Sequence, residues 1–383
     1  MPKWDVHFNM HLDYQYHEVV YLVARAHALA DVILDIPIPP PVKAKLDTLN
    51  ILRAVRGTTG IEGAELTEEE VRKIMESPRK KSVLPQDRSR EEQEARNAEK
   101  LMHYVAKKLN QDSNLPLTEK LIRKIHEITT KGIDYQDNIP GKYRTHDVHA
   151  GSYLPPGGKD VGELMREFIK WFNTGVPRAW DPIIRAIVAH FYVVSIHPFG
   201  DGNGRTSRGV ESFLLYKAGV NPRSFYSLAN YYYKYRPEYV QFLDHVRFNS
   251  NGDLTPFVLF ALKGLVSELE QVHAEVLANV KTIAFRDYAR ELLGLYGKLS
   301  SDAGERMTIL LAYLSHGEIV SLKALRSGKH RLSGIYAKLT TKTLSRDINF
   351  LKKNELVIVV GDELQANLDI MTRYVPPREF MEP

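Results

Sequence analysis

The sequence predicts a mainly α-helical protein with two small β elements. Apolar residues recur at helical spacing up to about Ala303, which is typical of packed helices. Asp181 and Pro182 suit an N-cap and a first helical position for the strongly apolar segment IIRAIVAHFYVVSI. Strand-like composition is confined to residues 142–158 and to the tail. These three observations favour a helical bundle over a sheet protein.

The first 110 residues are predicted to form helices. The segment LDYQYHEVVYLVARAHALADVILDI has helical spacing, the prolines of IPIPPPVKAK interrupt it, and VKAKLDTLNILRAVRGT resumes it until Gly57, where the second helix is expected to stop. Thr67 suits an N-cap for LTEEEVRKIMES. The charged run from Arg79 to Lys100 is typical of a solvated loop and helix.

Residues 111–300 are predicted to form a second, central domain. Its segment GKYRTHDVHAGSYLPPGGKD is rich in Gly, Pro, Thr, Val and Tyr, which indicates a short hairpin. This hairpin, residues 142–158, is expected to project as a flap. In residues 301–383 the pattern changes, and helical segments precede two short strands around Gly361 and Asp362. This order favours a C-terminal winged-helix domain.

Bulk properties restrict the class of protein. The 383 residues allow two or three domains, and 43% hydrophobic with 26% charged residues is the balance of a soluble globular chain. The sequence has no cysteine, no secretory start and no apolar run of the roughly 18 to 20 residues that span a bilayer, so a cytoplasmic location without membrane contact is expected. A net charge of +5 is too mild to identify a nucleic-acid binder.

The segment HPFGDGNGRTSRGVESFLLYKAG carries the predicted chemistry. Gly200, Gly202 and Gly204 allow backbone N–H groups to face one point, and the start of the following helix adds unpaired N–H groups and a positive dipole end. Arg205 and Arg208 lie three positions apart on one side of that helix, where both guanidinium groups reach phosphate oxygens. The pattern predicts a polyphosphate site, although no Walker-type GxxxxGK[ST] accompanies it.

Three further side chains give this loop candidate roles. Asp201 offers a hard carboxylate oxygen for Mg²⁺ shared with phosphates. His197, at the loop entrance, is a candidate general base because its ordinary pKa lies near neutrality. Asn203 either contacts a phosphate or braces the loop, and the sequence does not separate these two roles. A simple turn between packed helices would not need this combination of groups.

The stretch His197 to Arg208, HPFGDGNGRTSR, resembles the complete signature of the Fic family. The resemblance implies a Fic-type helical bundle with ATP as co-substrate, His197 as general base and Asp201 as the Mg²⁺ ligand. It also implies that both arginines and the Gly-Asn-Gly backbone contact the phosphates. The implied nucleotide-binding segment comprises Gly200, Asp201, Gly202, Asn203, Gly204, Arg205, Thr206, Ser207 and Arg208.

A second match lies upstream, in TTGIEG. Thr58, Glu62 and Gly63 resemble the inhibitory motif of the same family, a hydroxyl residue followed at fixed spacing by Glu and then Gly or Asn. The resemblance implies that Glu62 pairs with Arg208 and occupies the space of the ATP γ-phosphate. A carboxylate beside an arginine competes for the donors that a phosphate needs, which agrees with this role.

The flap and one downstream segment add nucleotide contacts by resemblance. The segment YRTHDVHAGSYLPP resembles the family's flap, which aligns a target segment by strand addition, and implies that Val148, His149, Ala150 and Gly151 border the nucleotide. The segment RPEYVQFL resembles a base-contact segment in which a second Tyr is frequent. Here only Tyr239 remains, because Val240 follows it.

The resemblance implies a protein adenylyltransferase that moves AMP from ATP to a Ser, Thr or Tyr hydroxyl of a target protein and is inhibited by Glu62. Two alternatives stay open: removal of AMP by the same site, and a DNA-binding regulator acting through the tail. The tail's candidate recognition helix and its approach carry Lys338, Lys342, Arg346, Lys352 and Lys353, which suit DNA or protein contacts. No zinc site is expected, and a homodimer remains open.

Overall fold

The computed structural model of the chain describes residues 4–78, 81–134, 137–151, 153–220, 228–336 and 339–372. The chain forms two compact units, Met1–His273 and Ala274–Pro383. The division falls within one long helix, Thr255–Leu295. The boundaries expected at residues 110 and 300 stay predictions of domain organisation.

The first unit is built from helices, which confirms the predicted mainly α-helical class. In chain order its helices are α1 (His17–Asp35), α2 (Pro40–Gly60), α3 (Glu68–Glu76), α4 (Ser89–Gln111), α5 (Glu119–Thr130), α6 (Val161–Thr174), α7 (Pro182–Ile196), α8 (Asn203–Lys217), α9 (Leu228–Lys234), α10 (Arg236–Phe248) and the first part of α11 (Thr255–Leu295). Short 3-10 helices lie at Gln86–Arg88 and Val176–Ala179. In the described ranges, no helix combines the length and apolarity that crossing a bilayer requires.

Helix α7 is the buried centre of the first unit. It begins as the sequence predicts, with Pro182 at the first position and the Asp181 carboxylate accepting a hydrogen bond from the Ile183 N–H at 2.8 Å. From Ile183 to Ile196, every residue except Arg185 is buried. A helix that is apolar on all faces belongs inside a bundle, and α7 packs against α8 along its length.

The end of α2 differs from the prediction. The helix continues past Gly57 to Gly60, so the expected stop at Gly57 is wrong. A Cβ at Gly57 would lie 2.8 Å from the backbone of Asn230, so this glycine serves a close approach between α2 and α9. The chain turns instead at Gly63, whose φ of 100° lies in the left-handed region.

Helices α2, α3 and α4 share a small apolar core, and the start of α3 follows the prediction. The Thr67 hydroxyl accepts a hydrogen bond from the Glu70 N–H at 3.2 Å, and the Glu70 carboxylate accepts one from the Thr67 N–H at 2.8 Å. Val71 and Ile74 of α3 are fully buried against α2 and α4. This subdomain places the end of α2 beside α8.

The predicted flap is mostly irregular. Among its described residues, the hairpin is reduced to a single antiparallel bridge between Ala150 and Tyr153. Gly151 makes the turn with φ 57°, and Ser152 lies outside the described residues. Tyr153 is buried and its hydroxyl donates a hydrogen bond to the carbonyl of Ser195, so the flap is anchored to α7.

The second unit combines the end of α11 with a small sheet. Its further elements are α12 (Asp302–Leu314), β1 (Val320–Ser321), α13 (Leu322–Arg326), 3-10 helices at Arg331–Ile335 and Leu368–Thr372, α14 (Thr341–Lys353), β2 (Val357–Val360) and β3 (Glu363–Ala366). The strands are antiparallel in the order β1–β3–β2. The turn between β2 and β3 holds Gly361 with φ 60°, at the predicted position.

The core of the second unit lies between its helices and the sheet, with Leu310, Leu344, Leu351 and Leu364 among its buried residues. The basic residues predicted for the recognition helix lie exposed on α14, except Lys338, which is outside the described residues. The exposed ones are Lys342, Arg346, Lys352 and Lys353.

Candidate active site

The loop between α7 and α8 leads into a helix whose N-terminus is uncapped. Gly202 takes the left-handed conformation with φ 74°, and its carbonyl accepts the first helical hydrogen bond, from the Thr206 N–H at 2.9 Å. Within the described residues, no side chain caps α8. The first N–H groups of α8 therefore remain available to an anion, and the helix dipole adds positive potential there.

His197 stands at the entrance of this loop in a conformation that fixes its ring. Its backbone is left-handed with φ 54°, and its Nδ1 lies 3.1 Å from the carbonyl oxygen of Val194. Since a carbonyl only accepts, Nδ1 carries the hydrogen and Nε2 keeps its lone pair. Burial lowers the pKa of His197 to about 4, and the charges of Arg247 and Arg144 act in the same direction. The imidazole is thus a neutral proton acceptor at pH 7.

Asn203 braces the loop, which is the second of the two roles left open by the sequence, and its contact with a phosphate stays a prediction. Its side-chain oxygen accepts a hydrogen bond from the Phe199 N–H, and its amide donates to the Phe199 carbonyl, both at 2.9 Å. The side chain is 2% exposed. Both ends of the amide are engaged within the loop.

His126 of α5 stabilises the loop between α7 and α8 by hydrogen bonding and ring stacking. Its Nδ1 accepts a hydrogen bond from the Gly141 N–H at 2.9 Å, and its Nε2 lies 3.0 Å from the carbonyl oxygen of Asp201. The ring stacks on Phe199 with 3.7 Å between centroids. Burial lowers the pKa of His126 to about 4. The neutral ring therefore joins two loops through opposite nitrogens.

Arg144 connects the base of the flap to His197. Its Nε donates to the carbonyl of His197 at 2.7 Å, and its other nitrogens donate to the carbonyls of His146 and Pro156 at 2.8 and 2.6 Å. The residue is 4% exposed. Burial lowers the pKa of Arg144, which nevertheless stays charged at neutral pH. One guanidinium thus fixes the start of the flap and the backbone of His197.

Arg205 is buried and paired with carboxylates. Its Nη1 lies 2.8 Å from Glu94 of α4, and its Nη2 lies 3.5 Å from Asp201. Arg90 also approaches both acids, at 3.2 Å from Glu94 and 3.8 Å from Asp201. The Arg205 guanidinium is therefore part of a charge network that includes Asp201, the candidate metal ligand.

Arg208 is held by the end of α2. Its Nε donates to the Thr58 hydroxyl at 3.0 Å, and its Nη2 donates to the Thr58 carbonyl at 3.0 Å and to the Glu62 carboxylate at 2.6 Å. Burial acts to raise the pKa of Glu62, but the charges of Arg208 and Arg205 and the hydrogen bond from Arg208 hold it below its usual range. Glu62 is therefore ionised at neutral pH.

Glu62 lies directly over the first turn of α8. A Cβ on Gly204 would collide with Oε1 of Glu62, so this carboxylate rests against the backbone of α8. Gly63, with φ 100°, allows the chain to turn back immediately after Glu62. The structure thus brings Thr58, Glu62, Gly204 and Arg208 together.

The remaining predicted residues vary in position. The hydroxyls of Thr206 and Ser207 donate to the carbonyls of Gly202 and Gly204, both at 2.8 Å, so they bond within α8. A Cβ on Gly200 would lie 2.6 Å from the carbonyl oxygen of Asp137, so this glycine permits contact with a neighbouring loop. In the flap, Val148 and Ala150 are half-buried whereas His149 and Gly151 are exposed.

Tyr239 lies in the core rather than on an open surface. It is 4% exposed, its hydroxyl is 2.9 Å from Nε2 of His190, and its ring stacks on Tyr232 with 4.7 Å between centroids. Nδ1 of His190 lies 3.2 Å from Glu211, which also accepts a hydrogen bond from the Tyr232 hydroxyl at 2.9 Å. In this structure Tyr239 completes a buried polar network.

Sequence reasoning missed three residues that shape the site: Glu94, His126 and Arg144. Their partners lie far along the chain, 75 positions for His126 and 53 for Arg144. A signal existed for His126, because a histidine on the apolar face of α5, among Ile122 and Ile125, requires a buried partner.

Part of the chain is similar to proteins of one known family. Residues 116–215 match the model of the Fic/DOC family. The curated proteins named Protein adenylyltransferase Fic from Drosophila ananassae and Drosophila melanogaster are each 32% identical over 207 residues, which is 53% of this chain and 38% of either relative. The chain thus spans less than half the length of these curated relatives.

Solved structures share the fold. A Fic family protein from Desulfovibrio desulfuricans G20 aligns over 96% of this chain and 98% of its own, with a TM-score of 0.53 and 19% identity. A fragment of Fic-1 from C. elegans aligns over 67% of this chain and 71% of its own, with a TM-score of 0.53 and 24% identity. At these identities the likeness concerns the fold alone.

Proposed function

Since residues 116–215 of this chain form a Fic/DOC-family domain, we propose that the protein transfers AMP from ATP to a Ser, Thr or Tyr hydroxyl of a target protein. The observation that carries the proposal is the position of His197, a neutral proton acceptor, at the entrance to the uncapped N-terminus of α8. A base beside an anion-binding helix end is what nucleotidyl transfer to a hydroxyl needs.

His197 acts as the general base in this proposal. Nε2 takes the proton of the target hydroxyl while its oxygen forms a bond to the α-phosphorus of ATP. The bond between the α-phosphorus and the oxygen bridging to the β-phosphate breaks, and pyrophosphate leaves. The hydrogen bond from Nδ1 to Val194 supports this role, because it fixes the tautomer that leaves Nε2 free.

The first turn of α8 binds the phosphates in this proposal. Gly204 has no Cβ, so a phosphate oxygen can approach the backbone N–H groups there. Arg208, whose present partners are Glu62 and Thr58, would bind phosphate oxygens in the place of Glu62. Arg205 adds positive charge from beneath the loop.

Asp201 is the residue that would hold Mg²⁺. Its side chain is 41% exposed beside the N-terminus of α8, where the phosphates are expected to bind. In the described part of the chain, no group of three His, Cys, Asp or Glu side chains is arranged to hold a metal. One carboxylate fits Mg²⁺, which takes most of its ligands from phosphates and water and would neutralise charge on the leaving group.

We further propose that Glu62 restrains the activity. Its ionised carboxylate neutralises Arg208 and lies against Gly204, where a phosphate would otherwise bind. A bound ATP would have to displace this carboxylate or bind in an altered position. Loss of the Glu62 side chain should therefore increase AMP transfer.

Incorporation of labelled AMP tests both proposals. The proteins to compare are the wild type, Glu62→Gly, Glu62→Gly with His197→Ala, and Glu65→Gly as a matched control at an exposed glutamate nearby. Each is incubated with Mg-ATP and a cell lysate. We expect labelling to rise in Glu62→Gly, to vanish when His197→Ala is added, and to stay at the wild-type level in Glu65→Gly. Absence of labelling in every variant would refute the transfer proposal.

Removal of AMP by the same site is a second candidate. The specific observation in its favour is that Glu62 is ionised yet partly exposed, so its carboxylate could orient a water molecule toward a phosphorus bound at α8. A target pre-labelled by Glu62→Gly is incubated with wild type. Release of AMP that depends on Glu62 supports removal, and a stable label excludes it.

We interpret the second unit as a winged helix. The chain order of α12, β1, α13, α14, β2 and β3, with β2 and β3 as a hairpin after α14, supports this interpretation. The exposed basic residues of α14 make it the candidate contact helix for a partner protein or DNA. Salt-dependent binding of the full chain to duplex DNA, lost when Lys352 and Lys353 are changed to Gln, would identify DNA as the partner.

A further inference from the structure

A pocket of the first unit lies at the opposite end of α7 and α8 from the candidate active site. Its volume is about 670 Å³, and it is bounded by the start of α7, the end of α8, the end of α6 and the chain before α5. Because α7 has 15 residues, the pocket is roughly 20 Å from His197. Pockets of this volume accommodate small organic molecules.

Three cationic side chains line this pocket, and none of its lining residues is a carboxylate. Arg178 comes from the 3-10 helix Val176–Ala179, Arg185 from the first turns of α7, and Lys217 from the end of α8. In the parts of the chain that are described, none of the three forms an ion pair with an acid within 4.0 Å. The lining of the pocket therefore supplies no carboxylate to these three cations.

The cations are held in place by neutral contacts. The Arg185 guanidinium lies 4.6 Å from the centre of the Phe172 ring and donates to the Phe172 carbonyl at 3.3 Å. Its Nε is buried and, among the described atoms, has no hydrogen-bond partner. Lys217 donates to the carbonyls of Asn114 and Leu115 at 3.3 and 3.0 Å. The side chains of Arg185 and Lys217 are thus held in place, and the Nε of Arg185 remains without an acceptor among the described atoms.

The surroundings lower the pKa of two of the three cations. Burial lowers the pKa of Arg185, and the charge of Arg178 lowers it further. Burial also lowers the pKa of Lys217, with a further contribution from Arg185, while Asp112 acts in the opposite direction. Each cation therefore disfavours the charge of its neighbour, and a bound anion would reverse that repulsion.

We propose that the pocket lined by Arg178, Arg185 and Lys217 binds a small organic phosphate at a site separate from the α7–α8 loop. Phosphate accepts several charge-assisted hydrogen bonds, which suits the three cationic side chains that line the pocket. The apolar walls formed by Leu117, Ile169 and Leu214 favour an organic group over a bare inorganic ion. The site uses none of the residues assigned to AMP transfer.

Calorimetric titration of the full chain tests this site with phenyl phosphate and inorganic phosphate at constant ionic strength. We expect saturable binding of one phenyl phosphate, tighter than that of inorganic phosphate. In Arg185→Gln with Lys217→Gln, the dissociation constant should rise by about tenfold or more. Lys120→Gln with Lys142→Gln, an equal change of net charge at exposed sites, should retain the wild-type affinity.

Two outcomes would overturn the proposal. They are no saturable binding at millimolar phenyl phosphate, and equal affinity in the wild type and the pocket variant. Since Arg185 is half-buried, the single variant Lys217→Gln, at an exposed position, gives the same test if the double variant does not fold by circular dichroism.

Discussion

Nε2 of His126 donates a hydrogen bond to the carbonyl oxygen of Asp201 at 3.0 Å. The direction of this bond follows from the opposite nitrogen, since Nδ1 accepts from the Gly141 N–H and therefore carries no hydrogen. A residue of α5 thus fixes the backbone immediately before the first turn of α8. His126 does not reach the reacting groups, and we assign it a positioning role.

We expect His126→Ala to reduce AMP transfer in the Glu62→Gly background by about tenfold or more, because small displacements of a binding loop cost large factors in rate. His126→Gln should retain part of the rate, since an amide can replace one of the two hydrogen bonds. The measurement is kcat and KM for ATP in labelling assays. His103→Ala, at a histidine whose side chain is 62% exposed on α4, is the control and should behave as the parent.

Equal kcat in His126→Ala and the parent would show that the loop holds its shape without this bond. A change confined to the folding stability of the variant, with kcat and KM preserved in the folded fraction, would contradict the positioning role as well.

Stability should fall in acid because of two neutral histidines. His126 and His197 have pKa values near 4 in the folded chain, below the ordinary value of 6.5. The unfolded chain therefore binds more protons between these values, so the contribution is complete above pH 6.5 and is lost as the pH falls toward 4. For the buried His126 the loss is on the order of 3 kcal/mol.

Urea unfolding at a series of pH values measures this contribution. We expect His126→Gln to lose less free energy of unfolding than the wild type as the pH falls from about 6.5 to about 4.5. The exposed control His103→Ala should follow the wild-type curve. Parallel curves for all three proteins would mean that His126 titrates normally in the folded state.

Gly57→Ala should weaken the contact between α2 and α9. A Cβ at Gly57 meets the backbone of Asn230 at 2.8 Å, so one helix must move, at a cost of about 1 to 3 kcal/mol in the free energy of unfolding. Glu62 follows the end of α2, so a shift of α2 would loosen its ion pair with Arg208, and we expect AMP transfer to rise in the otherwise wild-type chain.

Gly294→Ala is the matched control for this substitution. Gly294 lies near the end of α11, and a Cβ there meets no atom within 4 Å. Alanine should therefore stabilise that helix by up to about 1 kcal/mol. Denaturant midpoints that move equally in both variants would contradict the close approach at Gly57.

The sequence was sufficient for features whose cause is local. Caps at Thr67 and Asp181 depend on residues two or three positions away, and the structure has both. The support beneath the loop was not predictable in this way, because Arg205 meets Glu94 of another helix and His126 meets Asp201 only after α5 packs against α8. The predicted helix end at Gly57 was wrong for the same reason, because the role of this glycine depends on α9, which is distant in sequence.

Tyr239 illustrates what a resemblance leaves undecided. Its place in a recognisable segment implies contact with a base, which stays a prediction, and the structure places the ring beside Tyr232 and His190 in the core. A tyrosine whose hydroxyl has a buried partner satisfies its polar group inside the protein. The sequence alone does not predict whether such a ring packs in the core or faces the surface.

The order of Glu62 and Arg208 along the chain has a consequence for the nascent chain during synthesis. The two residues are 146 positions apart, and the glutamate comes first. A ribosome therefore completes α2 well before it adds the arginine that α2 holds, and chains fold progressively from the N-terminus during synthesis. If Glu62 is the restraint proposed above, the nucleotide site is never synthesised without the residue that restrains it.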